Sequence, residues 1–177
     1  MNDAEGGFQL GNNATTSDGR FMNGYLDVSS SPGVTLSFTN LNSLTNGLPY
    51  SVLVYTDGDT SLRRSQFTLA GATTGNGTFF TEDNGNFPGN GTTANYVRST
   101  ATTDAAAEAL TGINNYVQFD GVTGNSFTLQ AFGTNFVNGA ARAPINGIQI
   151  VTVPEPTALV GLIGGAGMLL GFRRRSR

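Results

Sequence analysis

The chain has 177 residues, of which 12% are charged and 25 are glycine, with no cysteine and no histidine. Lacking cysteine, it can form no disulfide framework, thiolate nucleophile or zinc–thiolate site; lacking histidine, it is without the commonest general base and metal ligand. Residues 1–153 hold five arginines, no lysine and eleven acids, a net charge of −6, which argues against nucleic-acid binding because phosphate neutralisation needs basic patches.

The length suits one domain plus a tail. Glycine, asparagine and threonine are abundant turn and strand residues, and with so few charges they indicate an all-β extracellular domain. Its core must hold without covalent staples. Residues 1–20 are polar and glycine-rich and read as a flexible N-terminal segment. They contain neither a basic n-region nor an apolar h-region, so they are not a secretory signal, and the expectation is that an export signal has been lost from the start.

Strands are predicted from Phe21–Val28 onward. Val34–Asn40 alternates cleanly, with Val34, Leu36 and Phe38 on one face and Thr35, Ser37 and Thr39 on the other. Leu41 and Leu44 cover the next connection, and Asn46-Gly47 is a turn. Tyr50–Thr56 is apolar on both faces and predicts a central strand. Asp57-Gly58-Asp59 then reads as a turn that pairs Arg64–Ala70 with it as a hairpin. Thr78–Phe80 and Ala94–Ser99 are short strands around a glycine-rich region. Asp104–Leu110 is the one helical candidate, with Asp104 as N-cap. Asn115–Phe119 and Ser126–Phe132 read as a hairpin about a Gly121–Gly124 turn, and Ile145–Val153 closes the body. Eight or nine short strands at roughly ten-residue spacing predict a jelly-roll-like β-sandwich over residues 21–153.

Several side chains of the body suggest chemistry. Asp57 and Asp59, with Glu82 and Asp83, are oxygen donors suited to Ca²⁺, although Asp57-Gly58 equally makes a plain hairpin turn. The same acids could form a glycosidase pair, but no motif marks either one as catalytic, and no enzymatic activity is expected. Tyr25, Tyr50, Tyr55, Tyr96 and Tyr116 are candidates to stack on sugar rings, or else half-buried strand residues with their hydroxyls at the surface. The sequons at Asn13, Asn76 and Asn90 carry little weight in so Asn-, Gly- and Thr-rich a chain.

The last residues differ in kind. Val153-Pro154-Glu155-Pro156 precedes an uncharged run, Thr157–Phe172, which is followed by Arg173, Arg174, Arg175 and Arg177. The prolines favour an extended backbone, and Pro156 suits a first helical position, with Glu155 near the positive end of the helix dipole. As a helix, the sixteen residues 157–172 measure about 24 Å. That is shorter than the roughly 30 Å hydrocarbon core, so a single transmembrane helix here needs local thinning or snorkelling arginines. The arginine cluster places the C-terminus in the cytoplasm and the body outside. Two GxxxG spacings, Gly161/Gly165 and Gly167/Gly171, offer helix pairing or simply small residues in a short helix.

This order of motif, apolar run and terminal arginines resembles the PEP-CTERM sorting signal, a tail also labelled ice-binding protein C-terminal domain, over residues 153–177. The resemblance implies a membrane-embedded, cysteine-dependent exosortase-type processing enzyme as partner, with Pro154, Glu155 and Pro156 as its recognition element. The pattern from LPYSVLVYTDGD through NYVQFDGVTGNSFTLQAF to RAPINGIQIVTVPEP also resembles the β-sandwich ectodomains that precede such tails, which are similar to galactose-binding-like carbohydrate modules. Together these imply an exported cell-envelope or extracellular-matrix protein, membrane-anchored before processing, with a structural or interaction role. The competing class is a carbohydrate-binding module acting on exopolysaccharide.

Overall fold

The computed structural model describes residues 4–9, 17–83, 96–110 and 114–152. They form nine strands and three short helices: β1 (Ala4–Gln9), α1 (Ser17–Met22), β2 (Gly24–Val28), β3 (Val34–Phe38), α2 (Leu41–Thr45), β4 (Tyr50–Tyr55), β5 (Arg64–Ala70), β6 (Gly77–Glu82), α3 (Asp104–Glu108), β7 (Tyr116–Val122), β8 (Phe127–Gly133) and β9 (Gly147–Thr152). The expected all-β class is what the chain adopts. Two antiparallel sheets carry the body, one in the order β3-β8-β5-β6 and one in the order β7-β4-β9, with β1-β2 as a separate pair.

Period-two burial explains how the sheets meet. In β5, Ser65, Phe67 and Leu69 are buried; in β8, Phe127, Leu129 and Ala131 are. From the other sheet come Tyr50, Val52 and Val54 of β4 and Val117, Phe119 and Val122 of β7. These side chains make one continuous apolar cluster. Aromatic rings bridge the layers: Phe79 meets Phe119 edge-on at 5.2 Å, and Tyr50 lies 6.3 Å from Phe127. Fully burying one such large apolar side chain contributes about 1.5–3 kcal/mol.

Tyr50–Thr56 was expected to be central, and β4 does lie between β7 and β9. The two hairpins expected around it do not form. β5 pairs with β6 and β8, and β8 with β3 and β5, whereas β7 pairs with β4. Both hydrogen-bonding edges of β4 are taken by β7 and β9, so β5 has no edge of β4 to join. The Asp57–Asp59 segment and the Gly121–Gly124 turn therefore carry the chain from one sheet to the other.

Smaller corrections follow the same logic. Phe21 and Met22 belong to α1, and the strand begins at Gly24. Within 1–20, Ala4–Gln9 pairs with β2. Of the strand expected over Ala94–Ser99, residues 96–99 make a single parallel bridge, Arg98 with Tyr116, instead of a ladder. Leu41 is buried, but Leu44 is 62% exposed and covers nothing. The N-cap of α3 is Thr103, one residue before the expected Asp104, and its hydroxyl accepts from the Ala106 N–H at 3.2 Å. Asp104 is thereby freed to reach the Arg64 guanidinium at 3.3 Å. Arg64 also pairs with Glu82 at 3.5 Å and Glu108 at 3.2 Å, which fastens α3 to the β5-β6 edge.

Glycine is needed at several close approaches, and Gly133 is one of them. At Gly133 in β8, a Cβ would lie 2.3 Å from the Arg142 backbone nitrogen. The segment leading to β9 passes directly over that strand.

Candidate functional site

The outward face of the β7-β4-β9 sheet is set by alternation along β4 from Val52 to Tyr55. Val52 and Val54 of β4 point into the core, so Leu53 and Tyr55 point out. Register then sets the neighbours. Tyr55 lies opposite Tyr116 on one side and Gly147 on the other, while Leu53 lies opposite Gln118 and Gln149.

Gly147 leaves the space beside Tyr55 open, and Phe21 of α1 fills it. A Cβ at residue 147 would stand 2.2 Å from the Phe21 ring carbon Cζ. Phe21 meets Tyr55 edge-on, with centroids 5.1 Å apart and planes at 87°. Tyr96 meets Tyr55 from another side at 5.2 Å and 72°, and Tyr116 lies 5.8 Å away. The Tyr55 hydroxyl donates to Gln149 Oε1 at 2.9 Å.

Between these groups runs a groove of about 380 Å³, lined by Asp18, Phe21, Tyr55, Tyr96, Ile148 and Gln149. Its volume falls within the usual span of small-ligand sites, roughly 300–1,000 Å³. Burial, and then the Asp18 carboxylate to which it is hydrogen-bonded, push the Tyr96 phenol up to about 12. Burial raises Tyr55 as well, with lesser contributions from Tyr116 and Asp18. Both phenols are neutral at physiological pH, and their hydroxyls donate to Gln149 and Asp18.

At the other end of this face the side chains are polar. Asp120 accepts from Ser51 Oγ at 2.8 Å and from Gln118 Nε2 at 2.5 Å, and it pairs with Arg98 at 3.0 Å. Desolvation works to raise the Asp120 carboxyl, but these hydrogen bonds and the Arg98 charge outweigh it and hold the pKa below the ordinary value. Arg98 also donates from Nη2 to the Gln118 carbonyl at 2.8 Å.

No family model, curated protein or solved structure matches the chain. Its site therefore has to be read from its own residues. Of the five tyrosines considered for sugar stacking, the fold gathers Tyr55, Tyr96 and Tyr116 at one place. Tyr25 and Tyr50 are buried instead, at 6% and 0% exposure. The Tyr50 hydroxyl donates to the Gly124 carbonyl at 3.3 Å.

Of the four acids considered for Ca²⁺ or hydrolysis, Asp59, Glu82 and Asp83 bond other groups through their carboxylates, and Asp57 bonds through its backbone N–H. Asp59 pairs with Arg63 at 3.2 Å, and Glu82 with Arg64. Asp83 Oδ2 accepts from the Gly58 N–H at 3.0 Å, and the Asp57 N–H donates to Asn146 Oδ1 at 2.6 Å. Among the described residues, no three Asp or Glu side chains are grouped so as to hold a metal ion. Nor is any described helix long and apolar enough to cross a membrane. The run 157–172, the motif Val153–Pro156 and the arginines 173–177 all lie outside the described residues.

Asp18, Phe21 and Gln149 were not foreseen as site residues. Phe21 was assigned to a strand, which hid its place on a helix above β9. Gln149 could have been found, because it sits on the polar phase of the alternation in INGIQIVTV.

Proposed function

We propose that this chain is an exported cell-envelope or extracellular-matrix protein, a jelly-roll-like body delivered by a C-terminal sorting segment, 154–177, that is removed by an exosortase-type enzyme. One observation carries this: Val-Pro-Glu-Pro, sixteen uncharged residues and a terminal arginine cluster follow one another without a gap. The last described strand ends at Thr152, and the motif follows it in the sequence at Val153. Residues 157–172 serve as the transient transmembrane helix in this reading, and Arg173, Arg174, Arg175 and Arg177 hold its end in the cytoplasm.

A generic anchor needs only apolar length and flanking charge. It has no use for an acid framed by prolines just outside the bilayer. A processing enzyme does, because an extended backbone exposes peptide groups that a helix hides. In an exosortase-bearing host, with a working export signal, Glu155→Ala should leave membrane insertion intact and block conversion to the tail-less form. The readout is the mass of the released protein. Processing as efficient as in the parent would reduce the motif to a linker.

A second reading concerns the body. The cluster of Phe21, Tyr55, Tyr96 and Tyr116 beside the exposed Gln149 favours a carbohydrate-binding role towards exopolysaccharide, since such sites combine aromatic faces with a few polar groups. Saturable binding on a glycan array supports it; a blank array leaves a structural role.

A further inference from the structure

We infer that the groove between α1 and β9 takes a non-acidic pyranose and rejects uronic acids. This inference rests on the carbohydrate reading above and adds the class of sugar.

The walls supply the two things a pyranose needs. Its C–H face packs on aromatic rings, and Phe21, 41% exposed, and the half-buried Tyr96 and Tyr55 border the groove. Its hydroxyls need acceptors and donors at the rim. Asp18 is an acceptor: a carboxylate has about four lone-pair sites, and the Tyr96 hydroxyl takes one of them. The Gln149 carbonyl is occupied by the Tyr55 hydroxyl, which leaves its amide NH₂ with two donors.

Charge sets the discrimination. Among the described residues, Asp18 is the one charged side chain that lines the groove. A sugar carboxylate entering this space would meet a like charge at short range, with no cation among the described lining residues to compensate. At the effective dielectric of a protein surface, such a repulsion weakens binding by about tenfold or more. The net charge of −6 over residues 1–153 acts in the same direction on any acidic polymer. Of the body's five arginines, Arg64, Arg98 and Arg142 are held by Glu82, Asp120 and Asp27, and Arg63 by Asp59; Arg20 stands on α1 with Asp18 but is not among the described lining residues. A neutral or amino sugar carries no such penalty.

The distribution of tyrosines supplies the assay. There are five in the chain; Tyr55 and Tyr96 line the groove, Tyr116 lies 5.8 Å from Tyr55 beside it, and two are buried in the core. The full chain, labelled on its tyrosine rings and held in a zwitterionic, sugar-free detergent, is titrated by NMR. The probes are methyl glycosides of glucose, galactose and mannose, each matched to its own uronic acid. Saturable shifts of Tyr55, Tyr96 and Tyr116 are expected, with Tyr25 and Tyr50 still. At least one neutral sugar should bind about tenfold more tightly than its acidic partner, and Asp18→Asn should abolish that preference. Gln149→Ala, at an exposed position, should weaken the neutral sugar severalfold without moving the thermal melt.

Equal binding within every pair, or a preference that survives Asp18→Asn, would overturn the charge inference and leave the carbohydrate reading intact. Groove tyrosines that respond to none of the six probes would overturn both. Shifts confined to Tyr25 and Tyr50 would place any site elsewhere and overturn the groove.

Discussion

Alkaline titration offers a direct test of the core, because the composition clears the field. With no lysine, cysteine or histidine, the tyrosines are the side chains that titrate in the range just above pH 10. Tyr25 is the most informative of them. It is 6% exposed, and its phenol is pushed from 10.0 to about 12, first by burial and then by the negative charges of Asp59, to which it is hydrogen-bonded, and Asp27. The folded state therefore keeps the proton that the unfolded chain gives up. In the interval between the two pKa values the folded state binds more protons than the unfolded one, so stability falls as pH rises. A shift from 10.0 to about 12 corresponds to about 2–3 kcal/mol, fully present below pH 10 and lost by the upper end of the interval.

Tyr25→Phe removes this term. At neutral pH the variant should be less stable by about 1 kcal/mol, the value of the lost hydrogen bond to Asp59. As pH rises the parent weakens and the variant does not weaken from this source, so the two curves should cross between pH 10 and 12. Urea unfolding at stepped pH reads the crossing, and tyrosinate absorbance should show one of the two phenols that ionise at about 12, Tyr25 and Tyr96, missing from the variant. Parent and variant curves that stay parallel through the interval would refute the assignment of Tyr25 as a buried phenol beside two carboxylates.

Further outcomes follow from other contacts. Arg64→Met should destabilise by about 3 kcal/mol, because Glu82, whose side chain is 8% exposed, is left buried without its cation; urea midpoints read the loss, and adding Glu82→Gln should recover part of it. Gly147→Ala should displace the Phe21 ring, whose Cζ would stand 2.2 Å from the new carbon; Tyr55 ring shifts by NMR should report this, and an unchanged Tyr55 would mean that Phe21 does not pack there in solution. Thermal melts in excess calcium and in chelator should coincide, since Asp59 is already paired with Arg63; a difference of several degrees that Asp57→Asn abolishes would instead give the Asp57–Asp59 loop a calcium site.

Local order was legible where one face decides burial. The alternation in VTLSFTN, RSQFTLA and SFTLQAF marks β3, β5 and β8 because period-two burial is written directly into side-chain type. The central position of β4 was legible for the same reason, as YSVLVYT is apolar on both faces. The uncharged run 157–172 and the terminal arginines are visible in the sequence but lie outside the described residues.

Which strands pair was decided elsewhere. Alternation states that a strand has an inner face but not which sheet it enters, and short polar turns look alike whether they close a hairpin or cross between sheets. Asp57-Gly58-Asp59 and Gly121–Gly124 cross because β7 and β9 already occupy the edges of β4. The groove belongs to this second class. Phe21 lies 34 residues before Tyr55 and 126 before Gly147 in the chain, and no local pattern links them. Only the register that sets Gly147 opposite Tyr55 opens the space that the Phe21 ring enters, and that register is a product of packing the whole sheet.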